Sequence, residues 1–82
     1  MAELHAVIDI LMLIEQDSTV PKNVRTTVKN AMAALQESSG KSFEVKVDQI
    51  LQQLDDLSED PNLPQYTRTQ IWNVMSALES AQ

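Results

Sequence analysis

The segment Asp60-Pro-Asn-Leu-Pro-Gln-Tyr-Thr-Arg-Thr-Gln-Ile-Trp-Asn-Val-Met-Ser-Ala-Leu78 restates, at an offset of 43 residues, the segment Asp17-Ser-Thr-Val-Pro-Lys-Asn-Val-Arg-Thr-Thr-Val-Lys-Asn-Ala-Met-Ala-Ala-Leu35. Without a gap, Asp17 falls on Asp60, Pro21 on Pro64, and Arg25-Thr26 on Arg68-Thr69. Asn30 then meets Asn73, Met32 meets Met75, and Ala34-Leu35 meets Ala77-Leu78. Upstream the identities fade while the apolar pattern persists: Leu4, Val7, Ile8, Leu11 and Ile14 overlay Val47, Ile50, Leu51, Leu54 and Leu57. A shared register of this extent marks an internal repeat, and each repeat is one supersecondary unit.

Each unit reads as helix, short loop, helix. The apolar residues step by three and four, the period of an α-helix and not the alternation of a strand. In the second helix of each unit the stripe is Val24, Val28, Ala31, Met32, Leu35 and its counterpart Thr67, Ile71, Val74, Met75, Leu78. The predicted spans are about 2–16, 21–38, 43–58 and 64–80. Pro21 and Pro64 suit a first helical turn, where a missing N–H costs nothing. Val20 and Leu63 stand ready to pack back on that turn. Gly40 suits a left-handed helix end, and Ser42 an N-cap with Glu44 in the first turn behind it.

A two-helix hairpin leaves one apolar face uncovered, and two such hairpins satisfy each other. The chain is therefore predicted to be all-α: one domain over residues 1–82, a compact four-helix bundle built from two tandem, sequence-related hairpins at about 2–38 and 43–80. The competing architecture is a side-by-side stack of HEAT-like repeats, whose period brackets 43. Two repeats are too few to bury a solenoid core.

Composition excludes several classes of function. There is no cysteine, so neither a disulfide framework nor a zinc knuckle is available. Glu3, His5 and Asp9 interrupt the early apolar residues, unlike a signal peptide, and the run from Ile10 to Ile14 is too short to span a bilayer. A cytoplasmic location is expected. The net charge of −6 disfavours a nucleic-acid partner, since such affinity comes from Lys and Arg neutralising phosphates.

Residues that could carry chemistry are few. His5 is the lone histidine and lacks a second ligand at metal spacing, so no metal site is expected. Asp55, Asp56, Glu59 and Asp60 lack the alternating oxygen ligands and central Gly of a calcium loop and read as a solvated acidic face. They crowd the negative end of the third helix, where a cation from a neighbour would offset them. Asp17 with Arg25 and Asp60 with Arg68 recur in both hairpins, and each pair is expected to staple its loop to the helix that follows. The alternative for these arginines is to read a phosphate. Lys22, Arg25 and Lys29 line one side of the second helix and read as solvated charges, with no interleaved aromatics. Trp72 stands where the other half has Lys29, within stacking reach of Arg68.

Residues 60–79 resemble a small archaeal family known only as an uncharacterised protein family (uncharacterised protein family 0147), and Val20-Pro-Lys-Asn-Val-Arg25 is similar to that family's first half. The resemblance covers nearly the whole chain and is loosest around Ser38 to Glu44. It implies a compact helical bundle in an archaeal cytoplasm, and it carries over no catalytic or binding residue.

With no catalytic, cofactor or metal constellation in view, the expectation is a noncatalytic helical module that binds an unknown protein partner or forms a homodimer. No small-molecule substrate is expected. A ribosome- or RNA-associated accessory factor, contacting through Lys22, Arg25, Lys29 and Arg68, is the alternative. The candidate interaction surface is Ile10, Met12 and Leu13, where the third helix has Gln53, Asp55 and Asp56, with Trp72 joining them.

Overall fold

The computed structural model describes residues 2–37 and 42–81. It contains α1 (Ala2–Gln16), α2 (Lys22–Gln36), α3 (Phe43–Ser58) and α4 (Gln65–Ala81). The four spans agree with the apolar stepping to within two residues. Pro21 lies one place earlier than expected, at the N-cap of α2 with ψ of 147°, and its carbonyl accepts the Arg25 N–H at 3.1 Å. α2 ends at Gln36 because Glu37 turns extended. Ser42 caps α3 through its hydroxyl, which accepts the Val45 N–H at 3.3 Å, with Glu44 in the first turn. Gly40 lies outside the described residues.

The helices close into a square. α1 packs on α2 and α4, α3 packs on the same two, and neither diagonal pair brings its backbones close together among the described residues. A HEAT-like stack would set α1 on α3 and α2 on α4, so the bundle is the architecture adopted. The dimensions agree: the two short axes of 20 and 19 Å are each about two helix diameters.

The core draws on the same positions of both hairpins. Val7, Leu11, Ile14, Val20, Val24, Val28, Ala31 and Leu35 are buried, and so are Ile50, Leu54, Leu57, Leu63, Thr67, Ile71, Val74 and Leu78, each 43 residues on. Val20 and Leu63, the loop residues before each proline, thus belong to the core. The backbone bonds of the two loops repeat as well. Val20 N donates to Asp17 O and Leu63 N to Asp60 O, both at 3.1 Å, while Arg25 N and Arg68 N close the first turns on Pro21 O and Pro64 O. Across the other end, the Lys46 ammonium donates to the Glu37 carbonyl, tying α3 to the end of α2.

Candidate functional site

The loops within the two hairpins lie at one end of the bundle, and the chemistry they share begins at an aspartate. Asp17 Oδ1 accepts the Thr19 N–H at 2.9 Å and the Thr19 hydroxyl at 2.7 Å. Asp60 Oδ1 accepts the Asn62 N–H at 2.9 Å. Each acid therefore folds its own loop through a partner two residues away, a local turn that outcompetes a more distant side chain.

The expected pairing of Asp60 with Arg68 is replaced by another staple. Arg68 Nε donates to Ser58 O at 2.8 Å, and a terminal guanidinium nitrogen donates to Asp60 O at 2.9 Å. Ser58 is the last residue of α3, so Arg68 sets a cation on the negative end of that helix, beside the exposed Asp55, Asp56 and Glu59. It reaches backbone carbonyls because the Asp60 carboxylate is engaged inside the loop.

Arg25 does not copy this. Its Nε is buried without an acceptor, and its guanidinium donates to no described residue. The expected Asp17–Arg25 pair is reduced to a field effect. Thr19, first through its hydroxyl and then its N–H, holds the Asp17 carboxyl below its ordinary value of 3.8, and Arg25 adds a smaller lowering. A depressed folded-state pKa contributes stability above the unfolded-state value and loses it as pH falls through the folded one. Thr19→Val should raise the Asp17 pKa toward 3.8, read by carbon NMR of its carboxyl during acid titration. An unmoved pKa would remove Thr19 from the account.

Two depressions follow one another along the α1–α2 seam. The first, of about 190 Å³, is a basic cleft lined by Glu15, Lys22, Arg25, Thr26 and Lys29. The second, of about 400 Å³, is largely apolar and includes Ile8, Met12, Met32 and Ala33; Glu15 and Lys29 border both.

The expected interaction surface is redistributed by helical phase. Met12 is 43% exposed and belongs to the apolar groove. Ile10, on the opposite flank of α1, is half-buried and packs against the core. Leu13 points away from the core and is 61% exposed. Trp72, 50% exposed, follows the buried Ile71 as Lys29 follows Val28, a register that sets it toward α3 and away from Met12. Arg68 is committed to the α3 end. Tyr66, 71% exposed with its hydroxyl accepting from Gln70, is an apolar surface residue that sequence reasoning missed. Its alignment with the polar Asn23 was the available signal.

Among the described residues, no three His, Asp or Glu side chains gather as metal ligands, and no helix is long and apolar enough to cross a membrane. His5 is exposed.

No curated protein matches the chain significantly. Two crystal structures are similar over nearly its whole length. A protein of an uncharacterised family from Thermoplasma acidophilum superposes with a TM-score of 0.92 at 32% identity, covering 99% of this chain and 94% of that one. A protein of unknown function from Methanococcus gives 0.87 at 41% identity, covering 98% of this chain and 90% of that one. A family model matches residues 1–81, and the chain belongs to the uncharacterised protein family UPF0147.

Proposed function

We propose that the chain is a noncatalytic cytoplasmic helical module that docks on another protein through the outer surface of α1, a second copy of itself being the first occupant. One comparison carries this reading. Met12 and Leu13 are exposed, and the same two positions of hairpin 2 hold Asp55 and Asp56, also exposed. Both positions thus hold a carboxylate in the other hairpin, so this fold does not require apolar side chains there. Exposed apolar clusters that folding does not require mark interaction sites. Met12 also opens onto the groove formed with Ile8, Met32 and Ala33, and methionine adapts readily at such surfaces. A two-fold dimer is the commonest way to cover such a face. Sedimentation over a range of concentrations should show the mass rising from the 9.2 kDa monomer toward twice that value. A concentration-independent monomer would contradict the self-docking reading.

A further inference from the structure

The basic cleft on hairpin 1 concentrates charge against the character of the whole molecule. Lys22, Arg25 and Lys29 are three of only six Lys and Arg residues in a chain that carries twelve Asp and Glu. They converge because α2 presents positions 22, 25 and 29 on one flank, three and four residues apart. The same flank of hairpin 2 has Gln65, Arg68 and Trp72, so two of the three cations are missing there. The remaining one is engaged by Ser58 O and Asp60 O.

Arg25 is thus the uncommitted member of an otherwise matched pair. Its Nε is enclosed by protein without an acceptor, while the side chain lines the cleft, so its guanidinium charge is met by no hydrogen bond among the described residues. The start of α2 adds to the same field: no side chain caps it, and its first turn holds no acid. The lining also includes the Thr26 side chain, a hydroxyl that donates or accepts, and the Glu15 carboxylate at the border with the apolar groove.

We infer that this cleft binds one phosphate group, held by Arg25 with Lys22 and Lys29 around it. A guanidinium presents paired N–H donors in the geometry that phosphate oxygens accept, and the two ammonium groups supply the remaining charge. A single compact anion fits better than a polynucleotide backbone. Three cations span one cleft, Glu15 lines it with them, and the chain as a whole is acidic. This inference is independent of the docking surface on α1.

The test is a titration of the folded protein with inorganic phosphate at fixed ionic strength, with chloride as the matched control, followed by amide NMR. Saturable shifts confined to Glu15 and residues 22–29 are expected. Arg25→Gln and the exposed-site variant Lys29→Gln should each weaken binding by about tenfold or more, whereas Lys46→Gln, outside the cleft, should leave it unchanged. Lys29 lies at the surface, so its variant stays informative if Arg25→Gln perturbs folding. Shifts no larger than those from chloride, or cleft variants that bind phosphate as tightly as the parent, would overturn the inference. Binding of single-stranded RNA with no saturable response to phosphate would overturn it in favour of a backbone-tracking surface.

Discussion

Leu11→Ala and Leu54→Ala are each expected to destabilise the protein by about 2–5 kcal/mol, and by nearly the same amount as each other. The two leucines lie 43 residues apart, at 0% exposure, each on the first helix of its hairpin. Each is a knob pressed into the shared core, and truncation removes the same transfer free energy and leaves a comparable void. In a domain of 82 residues this corresponds to a fall in melting temperature of roughly 10–30 °C. Thermal and urea unfolding of the two variants would measure it. Costs differing by more than about 2 kcal/mol, set against the spread seen for leucine truncations, would show that the hairpins do not contribute equivalently.

Arg68→Ala should cost about 1.5–3 kcal/mol, while Arg25→Ala should cost less than about 1 kcal/mol. Arg68 makes two charge-assisted bonds to Ser58 O and Asp60 O, and its removal strips the α3 terminus of its cation beside three exposed acids. Arg25 occupies the matching place and makes no such bond among the described residues. Substituting it also removes an unanswered buried donor, which offsets part of the packing lost. Equal costs for the two variants would mean that Arg25 staples its loop in solution as Arg68 does.

The fold was legible because its determinants are periodic. Leu4, Val7, Leu11 and Ile14 step at helical spacing and recur in Val47, Ile50, Leu54 and Leu57, so helices, core face and pairing of halves follow from one alignment. Val20 and Leu63 were legible as well, since an apolar residue before Pro at a helix entry has little to do except pack inward. The loop chemistry was not. Asp17 and Arg25 suggest an ion pair by type, yet a threonine two residues away closes a shorter ring and wins. The true partners of Arg68 are backbone carbonyls, which every residue carries and no sequence marks. Neither could residue types show that two arginines at matched positions would differ, one engaged and one with its Nε orphaned. Ile10, Met12, Leu13 and Trp72 stood out by contrast with the other half, but their spread over separate flanks became clear only with the order of the helices around the square.

The central functional claim is that the apolar surface of α1 serves docking and not folding. Sedimentation and thermal unfolding of the double variant Met12→Gln, Leu13→Gln test this most directly, because glutamine keeps helix propensity and adds no charge. The expected result, with unfolding compared at concentrations where the parent is monomeric, is a stability within about 0.5–1 kcal/mol of the parent, as for ordinary surface substitutions, together with loss of concentration-dependent association. A variant that unfolds well below the parent temperature, or that associates as the parent does, would contradict it.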